Sequence, residues 1–425
     1  NPMWMHLDIH AGGLINRRAF LGATALSMAG WKGEVVAQAQ ALRKKGLSCI
    51  LLFMTGGPSQ LETFDPKPGT PTGGPTKSIN TTVPGIKIAD GWENTARVMK
   101  EISIIRSMTN NVAEHTRAQY QLHTGYLPSG GVKYPTFGSI VASDFPIPRD
   151  DLPSFVSIGT PGNTIGSGFL GMSQAPFVVN DASKLPANVS KANRLDEQRF
   201  SGRLSLLEDL EGQYAKKGAK ARVEDHKAIY ANAARLVRSP NLKTFDISSE
   251  SNEMQEKYGK TPFGRGCLLA RRLVESGVPF VEVESRDWDT HFDHFERIKP
   301  LNSATDRGFA ALVEDLSHRG MLEKTLVVLM GEFGRTPIIN PRTGRDHFPR
   351  AFSIAIAGAG IKKGFVLGST NAGGTEVRER PVSVPDLFCT LCKALEINPR
   401  KENAGPLNRP IKIVDGGKPV DELFA

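Results

Sequence analysis

The sequence predicts an α/β protein with a mostly parallel central sheet flanked by helices. Three observations carry that prediction. Short apolar runs of strand length alternate with longer segments of helical periodicity. The runs are continuous rather than alternating, as in "CILLFM" (residues 49–54) and "LVVLM" (326–330), which is the pattern of strands buried on both faces. Several end in glycine turns followed by polar side chains, and parallel sheets carry their ligands at that edge.

The elements follow in order. Residues 47–60 ("LSCILLFMTGGPSQ") read as a first strand ending in Thr55-Gly56-Gly57-Pro58. Residues 65–85 are rich in proline, glycine and threonine and read as a long surface loop. A second strand is expected at 102–108 ("ISIIRSM"), a helix at 113–126 and a third strand at 153–159. The stretch 191–242 is helical and charged throughout. Residues 264–277 ("GRGCLLARRLVESG") form an amphipathic helix stopped by glycine. A strand at 278–285, a helix at 304–320, strands at 326–330 and 351–360, and a closing helix at 383–397 complete the pattern. No internal repeat is visible.

At 425 residues the chain is long enough for one large α/β domain with insertions or for two smaller domains. We read residues 41–425 as a single domain with a helical insertion at about 191–242. Hydrophobic content of 39% and charged content of 23% fit a soluble globular protein. No stretch approaches the roughly 18 consecutive apolar residues of a stable membrane span. The net charge of +9 is compatible with anionic substrates or surfaces. Its spread along the chain, without a helix-turn-helix or RNA-binding signature, argues against nucleic acid. "CTLC" (389–392) lies within helical periodicity and reads as two buried structural cysteines one turn apart; a redox pair is the alternative.

Near the start, "INRRAFLGATALSMAG" (15–30) has paired Arg17 and Arg18, then Phe20, Leu21 and a short run of small and apolar residues. It resembles a twin-arginine export signal, with a surface amphipathic helix as the alternative. The resemblance implies a bacterial protein handled by the twin-arginine export machinery. Its location would be periplasmic or at the cell surface, with residues 1–40 outside the fold.

Three polar clusters follow strand ends. "RDWDTHFDHF" (286–295) holds Asp287, Asp289, His291, Asp293 and His294 within eight positions. Mixed imidazole and carboxylate donors suit zinc, manganese or iron; a solvated, aspartate-capped helix start is the alternative. "GRDHFPRAF" (344–352) brings Asp346 and His347 just ahead of a strand. "EHTRAQYQLHTG" (114–125) places His115 before a helix that carries His123, itself a packing or supporting residue. Glu332 follows the apolar strand at 326–330 after Gly331, where a carboxylate is costly unless paired. Arg335 and Arg345 flank these clusters. A guanidinium fork there suits phosphate or sulfate oxygens; salt bridges to Glu332 or Asp346 are the alternative.

These residues give the chain a resemblance to the alkaline-phosphatase-like superfamily, which includes sulfatases, phosphodiesterases and cofactor-independent phosphoglycerate mutases. Thr55-Gly56, Thr124-Gly125, the Asp289/His291 loop, "LVVLMGEFG" and His347 match its order of motifs. More closely, the chain resembles the exported bacterial group called domain of unknown function 1501. The motifs are "GGPSQLETFDPKPG", "LLARRLVESGVPFVEV", "WDTH", "GEFGRTP", "GRDHFPRAFS" and "RPVSVPDL".

The resemblance implies an alkaline-phosphatase-like core and a metal-dependent hydrolase of phosphate or sulfate esters with a variant active site. Thr55 stands where the superfamily has a metal-binding aspartate, His115 where it has a hydroxyl or thiol nucleophile, and Phe333 where it has a metal-binding histidine. Glu62 or Asp65 is a candidate for the missing carboxylate. Asp289, His291, Glu332, Asp346 and His347 are the candidate ligands of a divalent ion such as zinc or manganese. His115 would be a ligand or general base, Thr116 or His115 a nucleophile in competition with an activated water, and Arg335 a stabiliser of developing charge. The expected substrate is a small anionic ester or a sulfated or phosphorylated glycan. A degenerate hydrolase that binds anionic glycans or an exported partner is the alternative, and a structural component of an exported assembly a third. The metal reading requires His115, Asp289, His291, Glu332 and His347 to converge on one point.

Overall fold

The computed structural model describes residues 46–425 apart from 146–150, 160–165, 187–188, 190–196, 215 and 217–219. The twin-arginine segment therefore lies outside the described residues, as does the start of the helical insertion.

Among the described residues nine strands form the central sheet: β1 (Ser48–Met54), β2 (Ile102–Thr109), β3 (Phe155–Ile158), β4 (Phe177–Val179), β5 (Phe280–Ser285), β6 (Thr325–Met330), β7 (Phe352–Ala357), β8 (Phe365–Leu367) and β9 (Val382–Ser383). The order is β8-β2-β7-β6-β1-β5-β3-β4, with β9 also pairing β2. Among the described strands only β7 runs against its neighbours, and the other pairings of this sheet are parallel. The mixed α/β fold with a mostly parallel sheet is as the sequence predicts. β1, β6 and β7 are buried along their whole length, which explains their continuous apolar character.

Register decides where the polar loops emerge. Met54 pairs with Ser285 and Phe53 with Met330, so β1, β5 and β6 end side by side at one edge. The chain leaves that edge into residues 55–58, 286–293 and 331–335. The reversed β7 begins where those strands end, which delivers Asp346 and His347 from just before it. Successive parallel strands would not have done this, since a parallel strand's leading loop lies at the opposite edge.

The longer helices among the described residues are α1 (His115–Thr124), α2 (Glu197–Tyr214), α3 (Lys220–Arg238), α4 (Pro262–Glu275), α5 (His294–His318) and α6 (Val384–Ala394). Glu114 caps α1 by accepting from the backbone N–H groups of Thr116 and Arg117, and Gly125 ends it in the left-handed region. α4 opens with Thr261 as cap and Pro262 in its first turn. α6 opens with a reciprocal capping box of Ser383 and Asp386. Leu268, Leu269 and Leu273 of α4 and Phe309, Leu312 and Leu316 of α5 join Ile50, Leu52 and Met54 of β1 in the main core.

Two expectations are corrected. The supposed surface loop 65–85 contains a short strand, Ser78–Asn80, paired antiparallel with Lys87–Ala89; its Pro/Gly content masked three strand residues. The helix expected from 304 begins ten residues earlier, at His294, and continues through Pro300. Part of the "RDWDTHFDHF" cluster is therefore a helix start after all.

Candidate metal centre

The site is assembled where two chain crossings leave no spare volume. The backbone of residues 288–289 passes so close to Gly56 that a Cβ there would sit 2.5–2.9 Å from Trp288 and Asp289 main-chain atoms. Gly56 also has φ +116, which only glycine adopts readily. Gly344 is crossed the same way by the main chain of His291 and Phe292. These approaches fix Asp289 and His291 against the ends of β1 and the 340–347 turn. The two-residue pair Gly334–Arg335 with His347–Phe348 then sets His347 beside them.

Glu332, wholly buried, answers to α1. Its Oε1 accepts from the Gly56 N–H (2.9 Å), from His115 Nδ1 (2.7 Å) and from Gln119 Nε2 (3.1 Å). Its Oε2 has no hydrogen-bond partner.

Three imidazoles converge on one oxygen. Asp289 Oδ1 lies 3.0 Å from His291 Nε2, 3.3 Å from His347 Nε2 and 3.4 Å from His115 Nε2. The Nε2 atoms of His291 and His347 are 3.0 Å apart. His115, Asp289 and His347 offer donor atoms all within 4.8 Å of one another. On the far side of each ring Nδ1 meets an acceptor: Glu332 for His115 (2.7 Å), Asp346 for His291 (2.7 Å) and the Ala113 carbonyl for His347 (2.7 Å).

That arrangement fixes the tautomers. An acceptor at Nδ1 places the ring proton there and leaves a lone pair on Nε2. In the neutral rings three lone pairs then face the Asp289 carboxylate, whose Oδ1 also accepts from Arg335, a donor set that suits a cation. Nδ1–H groups tied to carboxylates and carbonyls are also how metal-binding histidines are oriented. Zinc–nitrogen bonds of about 2.0–2.1 Å put tetrahedral donors about 3.3 Å apart, and His291 Nε2, His347 Nε2 and Asp289 Oδ1 form a triangle with sides of 3.0, 3.0 and 3.3 Å. His115 Nε2 is a buried atom with no hydrogen-bond partner, as a group facing a cation or a bound water would be. The residues fit a divalent ion.

Charge and burial tune the cluster. Burial would raise the Asp289 carboxyl, but the Arg335 guanidinium at 2.5 Å, with His115 and His291, holds it down at about 2. Burial would lower His115, and the Glu332 hydrogen bond and charge outweigh it, leaving the imidazole above its ordinary value. His347 is lowered, chiefly by burial. Asp346 is lowered by its hydrogen bond to His291. Phe333, fully buried, stacks at 4.6 Å from His347 and 4.9 Å from His115, so the position compared with a histidine is an apolar backstop to two imidazoles.

Several expected roles fall elsewhere. Arg335 is fully buried and its guanidinium donates to the carbonyls of Gly56, Gly57 and Arg345 and to Asp289, so it offers no free fork to a substrate. Arg345 is likewise buried, held by the carbonyls of Thr72, Thr336 and Pro337 and paired with Glu62 Oε1 at 2.7 Å. Glu62 also bonds His294 Nε2 (2.9 Å), which removes both from the cluster. Asp65 is engaged by Thr370 and Lys67. Thr55 donates to Glu284 at 2.8 Å. Thr116 is exposed in the first turn of α1, its N–H on Glu114. His123 packs on Phe53 and pairs with Glu282 at 3.1 Å. Sequence reasoning missed Gln119, whose spacing of four between His115 and His123 puts all three on one face of α1.

A family profile described as "Protein of unknown function (DUF1501)" matches residues 47–424. No protein with a curated description matches. Among solved structures, the chain is similar to the PsFucS1 sulfatase from Pseudoalteromonas sp., 12% identical over 86% of this chain and 71% of that one, with a TM-score of 0.39. It is also similar to the phosphonate monoester hydrolase of Agrobacterium radiobacter, 11% identical over 89% and 77% at a TM-score of 0.38. A third likeness is to a protein in the alkaline phosphatase superfamily from Vibrio parahaemolyticus, 9% identical over 85% and 74% at 0.36.

Proposed function

The chain belongs to the DUF1501 family of proteins of unknown function, and we propose that it is a metal-dependent hydrolase of phosphate or sulfate esters. The observation that carries the reading is the convergence of three Nε2 atoms on Asp289 Oδ1, with every Nδ1 held by an acceptor.

Asp289, His291 and His347 would hold a divalent ion of the zinc or manganese class. Such an ion supplies Lewis acidity toward an ester oxygen and lowers the pKa of a bound water. Asp346 and the Ala113 carbonyl orient the two histidines rather than bind the ion themselves. Glu332 plays that part for His115. With Nδ1–H committed to Glu332, only Nε2 of His115 can take a proton, and Nε2 is turned into the cluster. His115 is therefore the general base that accepts the proton of an attacking water, and the buried Glu332 carboxylate stabilises the imidazolium formed. Arg335 keeps Asp289 ionised from behind. A hydroxyl nucleophile is not part of the reading, because Thr116 is turned to solvent at the cap of α1.

The substrate class is a small anionic ester or a sulfated or phosphorylated glycan. The commitment of both guanidinium groups to buried carbonyls and carboxylates favours a second reading, a binding protein for anionic glycans or an exported partner without turnover. The twin-arginine segment makes export to the periplasm or cell surface part of the proposal; fractionation of cells carrying Arg17→Lys together with Arg18→Lys tests it.

The deciding experiment is metal analysis of the purified protein alongside aryl phosphate, phosphodiester and aryl sulfate substrates. The hydrolase reading expects bound metal and turnover of one ester class. It further expects His291→Ala to lose the metal, and His115→Ala to keep it while turnover falls about 10²–10⁴-fold. Bound metal without turnover on any ester supports the binding reading. A metal-free protein with no turnover after zinc or manganese addition defeats the hydrolase reading.

A further inference from the structure

We infer that Thr290, His294, Glu62 and Arg345 form a closed, buried hydrogen-bonded ring that fastens the 286–293 loop to the 340–347 turn, so that the two segments stay assembled without an ion between them. What the segments are held together for rests on the metal reading above; the ring itself stands on contacts outside the cluster.

The ring can be followed from residue to residue. Thr290 Oγ1 meets His294 Nδ1 at 2.6 Å, and His294 Nε2 meets Glu62 Oε2 at 2.9 Å. Glu62 Oε1 accepts from Arg345 Nη2 at 2.7 Å. The Arg345 backbone N–H then donates to the Thr290 carbonyl at 3.2 Å, which closes the circuit. Thr290, His294 and Arg345 are 0% exposed and Glu62 is 2% exposed.

Its consequence comes from where the members lie in the chain. Thr290 stands between Asp289 and His291, and Arg345 directly precedes Asp346 and His347. A link from Thr290 to Arg345 therefore sets the spacing of the two segments that supply the cluster, without using any donor atom of the cluster.

The backbone at this junction is one that outside contacts must hold. Asp293 and Thr343 meet across it, with φ of +45 and +55, and the left-handed region is unfavourable for a β-branched threonine. Such conformations persist where the surroundings over-determine them. The Asp293 N–H donates to the Arg342 carbonyl at 3.1 Å, and the N–H of His294, a ring member, to the Thr343 carbonyl at 3.0 Å.

The charged half of the ring is braced in turn. Glu62 Oε1 also accepts from Thr76 Oγ1 at 3.1 Å, and the Arg345 guanidinium donates to the carbonyls of Thr72, Thr336 and Pro337. Only its Nε lacks a partner. In a low-dielectric interior, a polar network paired to this extent is rigid. Hydroxyl, imidazole and carboxylate in series are also the parts of an activated nucleophile, but the burial of all three closes them to a substrate. The four are positioning residues.

The test compares the full chain with Thr290→Val, which removes the hydroxyl and keeps the shape, and Thr290→Ser, which keeps the hydroxyl. Hydrogen–deuterium exchange is followed by mass spectrometry in peptides covering 286–294 and 340–348, with β1 as reference. In the wild type both segments are expected to stay protected after dialysis against EDTA. In Thr290→Val exchange should rise about tenfold in both segments together while β1 is unchanged, and Thr290→Ser should restore the protection. Zinc affinity, measured by competition with a chromophoric chelator, should be about 10–100-fold weaker in Thr290→Val and close to wild type in Thr290→Ser. Deprotection of the wild-type segments by EDTA overturns the inference, because the ion would then hold them. Unchanged exchange in Thr290→Val, a rise in one segment alone, or an equal rise in β1 also overturns it. If Thr290→Val does not fold, Glu62→Gln, which breaks the link to His294, carries the same expectations. A wild-type protein that binds no zinc removes the metal reading, and the exchange result still decides the ring.

Discussion

His115 and Glu332 are 217 positions apart in the chain and meet at 2.7 Å, imidazole Nδ1 to carboxylate Oε1. The first opens helix α1 and the second closes strand β6, and the contact ties the helix to the sheet edge at the point where the candidate chemistry is centred. It also resolves the cost of a carboxylate at the end of a buried strand: Glu332 is paired three times over on one oxygen.

Removing the charge of Glu332 while keeping its shape tests that tie. Glu332→Gln is expected to fold and to retain bound metal, because in the proposed site Glu332 orients His115 and lies outside the proposed ligand set. Turnover should fall about 10–100-fold, the usual effect of losing the partner of a functional histidine. Steady-state rates at saturating metal, with elemental analysis of the same sample, give the answer; loss of the metal itself would make Glu332 a ligand.

The crossing at Gly56 makes a sharper structural prediction. In Gly56→Ala the new methyl would meet the main chain of Trp288 and Asp289 at 2.5–2.9 Å, in a backbone region that costs alanine about 1–3 kcal/mol in addition. Both unfolding free energy and metal content should drop, since the displaced segment carries Asp289. Urea denaturation and metal analysis check it; an unaffected metal content would show that the crossing does not position the ligand.

Below the site, Glu62 is held by His294 and Arg345. Burial alone would raise its carboxyl, but these partners bring it from an ordinary 4.5 to about 2. A folded-state value below the unfolded one means that its contribution is complete above pH 4.5 and is lost as pH falls toward 2. The contribution is on the order of 3 kcal/mol. Glu62→Gln should flatten the acid limb of the stability profile between those pH values. Arg345→Met, which strands the buried carboxylate, should cost about 3–5 kcal/mol at neutral pH. Denaturation curves at pH 7 and pH 3 separate the effects.

The paired cysteines of α6 should be chemically silent. Cys389 and Cys392 are buried and unbridged, and burial pushes both thiols up, Cys389 to about 11. Thiol reagents at neutral pH should label neither in the native protein and both after unfolding. Rapid formation of a 389–392 disulfide under mild oxidant would instead support the redox alternative.

What the sequence determined by itself was the layering and the place of the site. Continuous apolar runs such as 49–54 and 326–330 can only be strands covered on both faces, and polar residues at their ends can only gather at the sheet edge. Asp289, His291 and Glu332 were legible as candidates for that reason. The tertiary structure decided what each polar group faces. Arg335 and Arg345, equivalent in sequence as flanking guanidinium groups, are both turned inward by carbonyls contributed from residues 56, 57, 72, 336, 337 and 345. His294, part of the same short cluster as His291, is carried round by the first turn of α5 to Glu62. The reversal of β7, which brings His347 to the correct edge, has no local signature. A side chain's partners come from segments tens to hundreds of residues away, and only the packed backbone fixes which of them lies within hydrogen-bond reach.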